Sequence, residues 1–506
     1  MKFFYTSLST PILFVILFDI SSCLRRSSRE ISIFPANSPQ EIDVKFRIVY
    51  SKLQEDLFSR DPFIVVSQNE TLKRNETVFT YNSTVDELLK LPLDRNNKTI
   101  FVMHGWIETV QKARFWWLPM IDAIKRNRPS DYQVIFVDWS RGSSSSIYLP
   151  AVSNLRVTAD MVASTIKTLI EDLNFDPLKI RLVGFSLGAH LAGFTGKLLT
   201  GRNKLAWITG LEPANAMFEM SSNSGSLYQT DAHYVDVIHS ASGNIFTGFS
   251  KFQPLGHRDF YINGALIPQP GCDNDMPFGA IGAFFSARRP CNHDRAPLVF
   301  SRARDTDSCT TIAFECSSYQ QFIQGKCSTV ECDPQKDSGC SWFGFENDVI
   351  HRNDWPPKAV DKEFKSLYLE SSGEHTCLTH YRMEIQSSRT DDVGTFLLFI
   401  EDLKLSIESN SRLVALKKPI ENMIELSLYW DSGRGFIESI LPAIPFIGST
   451  SGLIERASPV IQVEKVIFHP LNPGKRNIRT MYSFCGLHSR QEIKSGSRLI
   501  LIPCES

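Results

Sequence analysis

With 506 residues the chain exceeds what one hydrophobic core usually holds, so two domains are the starting expectation. A hydrophobic share of 42%, an aromatic share of 11% and a formal charge of -1 describe an ordinary globular protein. They exclude the basic excess of a nucleic-acid binder and leave the substrate class open.

The chain begins with a positive Lys2, an apolar run from Phe3 to Ile20, and small residues at Ser21-Ser22-Cys23. This pattern predicts a secretory leader over residues 1–23, with the mature chain starting near Leu24 and acting outside the cell. Thr10-Pro11 and Asp19 interrupt a run already short for a membrane span, which argues against an anchor. Losing Cys23 with the leader leaves ten of the eleven cysteines, an even number suited to disulfides in an oxidising compartment. Sequons at Asn69, Asn75, Asn82 and Asn97 are glycan acceptors in such a chain. No CxxC pair or His-rich spacing points to a structural metal, and no cofactor is expected.

From about Thr99 the pattern becomes strand, turn, helix. Ile100 to Met103 ends in His104-Gly105-Trp106, Val134 to Val137 ends in Asp138-Trp139, and Ile180 to Val183 ends at Gly184. Between them Val157 to Leu173 carries apolar residues at helical spacing. Alternating strands and helices predict an α/β fold with a mainly parallel sheet covered on both faces. After about Cys309 cysteines come densely and the helical period fades. From Thr379 the runs are strand-like, at His380 to Ile385, Thr395 to Ile400, Ile424 to Tyr429 and Pro459 to Phe468. These predict a separate all-β domain over roughly the last quarter of the chain.

The segment Gly184-Phe185-Ser186-Leu187-Gly188 follows an apolar strand and leads into a helix predicted from Ala189 to Leu199. In that setting a strained elbow lifts the Ser186 hydroxyl above the sheet, and the helix amino end favours developing negative charge. Ser186 is therefore the candidate nucleophile. A serine hydroxyl needs a base, and the downstream histidines are His190, His233, His239, His257, His293, His351, His375, His380, His469 and His488. His293 stands out in the polar segment Asn292-His293-Asp294-Arg295, beside Cys291. Glu212, after the strand-like Ala206 to Thr209, is the first choice of acid, with Asp236 and Asp259 as alternatives. Asp236, inside Tyr234 to His239, reads better as a buried strand residue. Backbone N–H groups of Leu187 and Trp106 are the candidate oxyanion donors, Gly105 permitting the turn.

Between Cys272 and Cys291 the stretch Asp273 to Pro290 includes Met276-Pro277-Phe278 and Ala283-Phe284-Phe285. If those cysteines pair, they clip an apolar loop beside His293, which reads as a lid opening at a lipid surface in preference to a packed surface loop. A second apolar stretch, Gly435 to Gly448, carries prolines and glycines that argue against a central strand. It reads either as a lipid-touching loop or as a loop packed on the β domain.

Taken in order, His104-Gly105-Trp106, Val137-Asp138-Trp139, Gly184 to His190, Gly210 to Ala214, Val235 to His239, Gly256 to Tyr261 and Cys291-Asn292-His293 resemble the pancreatic lipase superfamily. The resemblance spans nearly the whole mature chain. It implies an α/β-hydrolase catalytic domain at 24–375 and a carboxy-terminal all-β PLAT-like sandwich at 376–506. It also implies the triad Ser186, Glu212 and His293 with oxyanion donors Trp106 and Leu187, and a lipid substrate at a membrane or lipoprotein surface. Gln269-Pro270-Gly271-Cys272, Ser308 to Tyr319 and Cys377 to Tyr381 are similar to the phospholipase A1 branch, including its phosphatidylserine- and phosphatidic-acid-selective enzymes. That likeness implies disulfides Cys272–Cys291, Cys309–Cys377, Cys316–Cys327, Cys332–Cys340 and Cys485–Cys504.

The sequence departs from the family pattern in three places. Glu212 stands where the family usually has Asp, one methylene shorter. Tyr228 falls where a calcium-binding Asp would be, leaving Asp231, so no metal is carried over. The stretch between Cys272 and Cys291 and the loop Ser240 to Leu255 are intermediate between the short loops that go with phospholipid preference and the longer ones of triacylglycerol lipases. A phospholipase A1 is the first expectation, a triacylglycerol lipase the alternative, and a catalytically weak or inactive lipid-binding protein the alternative from another class. The sequence names no protein partner.

Overall fold

The computed structural model describes residues 35–49, 77–127, 130–218, 224–242, 253–273, 291–303, 310–327, 332–336, 338–345, 348, 355, 364–387, 395–400, 403–407, 411–417, 420, 423–431, 460–471, 481–486 and 491–504. The leader, Asn69, Asn75, Cys309, nearly all of the stretch between Cys272 and Cys291, and the apolar stretch Gly435 to Gly448 lie outside the described residues.

Eleven strands form the first sheet. In chain order they are β1 (Lys45–Val49), β2 (Thr77–Thr80), β3 (Lys98–Met103), β4 (Tyr132–Asp138), β5 (Ile180–Phe185) and β6 (Trp207–Leu211). There follow β7 (Tyr234–His239), β8 (Arg258–Ile262), β9 (Ile312–Glu315), β10 (Cys340–Trp342) and β11 (Lys365–Leu369). Their spatial order is β10-β9-β11-β8-β7-β6-β5-β3-β4-β1-β2. From β4 across to β11 neighbours run parallel, and antiparallel strands close both edges. Every residue of β5, β6, β7 and β8 is buried, as strands covered on both faces require, including Arg181, Asp236, Arg258 and Asp259 among the apolar residues.

The pleat sorts these strands into two cores. Phe101, Met103, Leu182 and Val137 turn to the face covered by helices α2 (Tyr148–Glu171) and α3 (Leu187–Leu198). Ile100, Val102, Val183 and Phe136 turn the other way, packing with α1 (Arg114–Asn127) and α4 (Cys291–Ser301). Helix α2 starts well before the predicted Val157, because Ala151 and Leu155 extend the same buried stripe and Pro150 falls in its first turn, where a missing N–H is harmless. β3 lies between β4 and β5, so the chain turns to opposite sides after these strands. Crevices in open α/β sheets form at the carboxyl ends where the strand order reverses in this way.

The remaining strands form the all-β region expected from the sequence. They are β12 (Thr379–Ser387), β13 (Thr395–Ile400), β14 (Leu403–Ile407), β15 (Ser411–Leu416), β16 (Leu426–Asp431), β17 (Val460–Pro470), β18 (Tyr482–Cys485), β19 (Gln491–Lys494) and β20 (Ser497–Cys504). All pair antiparallel around a core that includes Met383, Leu398, Leu428, Val466 and Phe468. β20 bonds to β16 as far as Leu501 and to β18 from Ile502 onward, passing from one layer to the other.

Candidate active site

Ser186 sits between the end of β5 and the start of α3 with φ 58° and ψ -119°, a conformation costly for any residue with a Cβ. Main-chain bonds hold it there: its N–H donates to the Leu211 carbonyl at 2.9 Å, and its own carbonyl accepts the Ala189 N–H at 3.1 Å. The two glycines are required by space. A Cβ on Gly184 would stand 2.1 Å from the Gly188 oxygen, and one on Gly188 would stand 2.3 Å from the Met103 oxygen. The Leu187 N–H falls in the first turn of α3, where backbone donors have no intrahelical partner.

On the other side of Ser186 the loop after β3 comes close, an added Cβ on Gly105 lying 2.9 Å from the Ser186 Cβ. Two buried side chains orient this loop. The His104 Nε2 accepts the Trp139 N–H at 3.3 Å, which leaves the proton on Nδ1 to donate to the Gly105 carbonyl at 3.0 Å. Because a trans peptide points its C=O and N–H in opposite directions, this bond sets the direction of the Trp106 N–H. Glu108 accepts the Gly105 N–H at 2.7 Å, and the Trp106 indole donates to the Ser145 carbonyl at 2.7 Å. Burial holds the His104 pKa below the usual histidine range, so the ring stays neutral.

Glu212 follows the last residue of β6, fully buried with φ 47°. Its N–H donates to the Ile238 carbonyl at 2.7 Å. The carboxylate is received by the end of β7: Ser240 donates to Oε2 from both its N–H and its hydroxyl, the latter at 2.9 Å, and the Ala241 N–H donates to Oε1 at 2.9 Å. His293 lies in the first turn of α4, with Nδ1 4.0 Å from Glu212 Oε1 and its ring 4.8 Å from that of Phe185. Ser186 and His293 are each 9% exposed, so neither is wholly cut off from solvent.

The first turn of α4 is tied down by several bonds. Asn292 Oδ1 accepts the Gln269 N–H at 2.6 Å, the Arg295 guanidinium donates to the Ser372 carbonyl at 2.6 Å, and Cys291 is bonded to Cys272. Further disulfides join Cys316 to Cys327, Cys332 to Cys340 and Cys485 to Cys504. Cys377 is also disulfide-bonded. Bonds of this kind belong to oxidising compartments.

The alternative acids have other partners. Asp236 accepts the Trp207 indole at 2.8 Å and the Thr209 hydroxyl at 2.6 Å, beside the buried Arg181 guanidinium, and burial pushes its pKa up to about 6. Asp259 takes the His239 imidazole at 2.8 Å and the Leu255 and Gly256 N–H groups at 3.0 Å. Among the alternative bases, His190 is engaged by the Ala214 carbonyl and the Leu227 N–H, and His380 Nε2 accepts the Glu370 N–H. His351 and His488 lie outside the described residues. Asp231 receives the Lys197 ammonium at 2.5 and 2.6 Å, and among the described residues no cluster of His, Cys, Asp and Glu could hold a metal ion.

Sequence reasoning did not single out Ser240, Glu108 or the part that His104 plays in orienting the loop after β3. For Glu108 a local signal existed, a carboxylate three residues after a turn glycine. For Ser240 there was none, because its partners are 28 and 52 residues away.

A family model described as Lipase matches residues 42–371. The chain is 28% identical over 489 residues to lipase member H-B of Xenopus laevis, covering 96% of each protein. It is 29% identical over 348 residues to the hepatic triacylglycerol lipase of Mus musculus, covering 66% of each. It is also 29% identical over 435 residues to the inactive pancreatic lipase-related protein 1 of Mus musculus, covering 81% of each. The chain therefore belongs to the lipase family of the pancreatic lipase superfamily, a carboxylic ester hydrolase of lipids with an α/β-hydrolase fold and a carboxy-terminal all-β region.

Proposed function

We propose that the protein is a secreted phospholipase A1 that uses Ser186, His293 and Glu212 as its triad. The observations that support this reading are a strained serine at a strand-to-helix elbow and a buried carboxylate standing 4.0 Å from an imidazole whose ring lies 4.8 Å from that of Phe185, the residue before the serine. His293 takes the proton of Ser186 as the hydroxyl oxygen attacks the sn-1 ester carbonyl. The Leu187 and Trp106 N–H groups hold the oxyanion, and Glu212 stabilises the imidazolium. Lysophospholipid leaves with the proton from His293. Water, deprotonated by the same ring, then frees the fatty acid from Ser186. Catalysis runs in unit 24–375, while unit 376–506 docks on the membrane or lipoprotein surface, and the stretch between Cys272 and Cys291 serves as the lid.

A second reading, triacylglycerol lipase, is favoured by the intermediate length of that stretch. Purified protein and a Ser186→Ala control, incubated with mixed phospholipid and triacylglycerol vesicles, decide between them by mass spectrometry of the products. Lysophospholipid lacking its sn-1 chain supports the first reading and diacylglycerol the second. Absence of any Ser186-dependent product sinks both in favour of a lipid-binding protein without catalysis.

A further inference from the structure

We propose that Ser240 is a positioning residue: its single hydroxyl joins the acid to the helix that carries the base and sets the distance between them. The inference rests on the reading of Ser186, Glu212 and His293 as a triad. Ser240 is fully buried just beyond the end of β7. Its Oγ lies 2.9 Å from Glu212 Oε2, 2.8 Å from the Asn292 carbonyl oxygen and 3.0 Å from the Ala296 nitrogen.

In a regular α-helix the Ala296 N–H would bond to the Asn292 carbonyl directly. Here the Ser240 hydroxyl stands within reach of both groups, accepting from the Ala296 N–H and sharing its one proton between the Asn292 carbonyl and Glu212 Oε2. The next rung is absent, because Pro297 has no N–H to give to the His293 carbonyl. The turn bearing His293 is therefore held from outside, by β7, as well as by its own ladder.

The same hydroxyl divides the work of the carboxylate. Oε2 is held by the Ser240 N–H and O–H, while Oε1, with the Ala241 N–H, faces His293. A glutamate has one more rotatable bond than an aspartate and would otherwise swing. Charged acceptors form the stronger hydrogen bonds, so the donors at Oε2 act as its stop.

The test is phosphonylation of Ser186 by a fluorophosphonate, in which the Oγ–P bond forms as P–F breaks, fluoride leaves and the proton passes to His293. Because this probe carries no lipid head group, it reads the triad whatever the natural substrate. Ser240→Ala should lower the maximal labelling rate about tenfold or more with the half-saturating probe concentration unchanged. Ser240→Thr, which keeps the hydroxyl, should restore the rate to within about threefold. On a Glu212→Gln background, Ser240→Ala should add less than about twofold, since two residues acting as one unit are not additive. Should the alanine variant fail to fold, Ser240→Cys, close in shape with a poorer donor, takes its place. Wild-type labelling with an unresponsive Ser240→Ala, or an equal loss on the Glu212→Gln background, overturns this inference alone. A wild type that never labels at Ser186 overturns the triad reading and this inference with it.

Discussion

The two halves of the candidate site are built by different means. The elbow half uses main chain and absent side chains: Gly184 and Gly188 leave room for each other and for β3, and Ser186 is pinned through its own N–H and carbonyl. The acid–base half uses side-chain links between distant segments, with Glu212 received by Ser240 and Ala241 and α4 anchored to Gln269, Ser372 and Cys272. Local sterics fix Ser186, so the elbow should fail all at once. The acid–base half hangs on many partial contacts, and its losses should be graded.

The largest expected effect breaks the elbow. Gly188→Ala brings a Cβ to 2.3 Å from the Met103 oxygen and 2.6 Å from the His104 oxygen, both rigid main chain. Either α3 or β3 must shift, at a cost of about 3 kcal/mol or more. Urea unfolding should show that loss, and hydrolysis should vanish with it. Gly201→Ala is the matched control: its φ is +59° but nothing lies within 4 Å. There only backbone strain of about 1–2 kcal/mol is expected, with activity kept. A Gly188→Ala enzyme as stable and active as Gly201→Ala would remove the steric account of the elbow.

This contrast also explains what the sequence disclosed. A glycine demanded by a 2.1 Å approach leaves a visible mark, so the Gly184 to Gly188 elbow could be read from a strand, a motif and a helix in succession. Buried parallel strands leave another mark as short, mainly apolar runs, which is why β3, β4 and β5 were legible. β9, β10 and β11 were not, being strands of four, three and five residues, too short to carry a period. They extend the first sheet into the cysteine-rich region where the helical pattern fades. Asp236 reads as a buried strand residue because it is one, held by Trp207 and Thr209. The link through Ser240 is silent in sequence, since a serine after a strand looks the same with or without partners far along the chain.

The acid–base half predicts a ranked pair of smaller losses. Glu212→Gln keeps the size but removes the charge proposed to stabilise the imidazolium, and should lower kcat by about 10²- to 10⁴-fold with the fold intact. Glu212→Asp keeps the charge but withdraws it by one methylene from Ser240 and Ala241, and a loss of about tenfold is expected. Pre-steady-state release of fatty acid separates the two. If Gln and Asp variants were equally impaired, reach rather than charge would govern this half, and the graded picture would need revision.

The smallest effect is a pH dependence located in the same half. β7, which ends at the Ser240 clamp, is fastened to β8 at its start, where the Val235 N–H donates to His257 Nδ1 at 3.0 Å. Burial, aided by the Arg258 charge, lowers the His257 pKa from 6.5 to about 4. A base with a depressed folded-state pKa binds fewer protons folded than unfolded. Its contribution is therefore complete above pH 6.5 and is lost as pH falls toward about 4. His257 is half-buried, so solvent screening keeps the effect modest. Melting temperatures measured from pH 7.5 to 4.5 should decline less steeply for His257→Asn, whose side-chain oxygen can still accept the Val235 N–H without titrating. An unchanged slope would mean that acid loosens the molecule elsewhere, with the buried His104 just after β3 as the next group to replace, since burial depresses its pKa in the same direction.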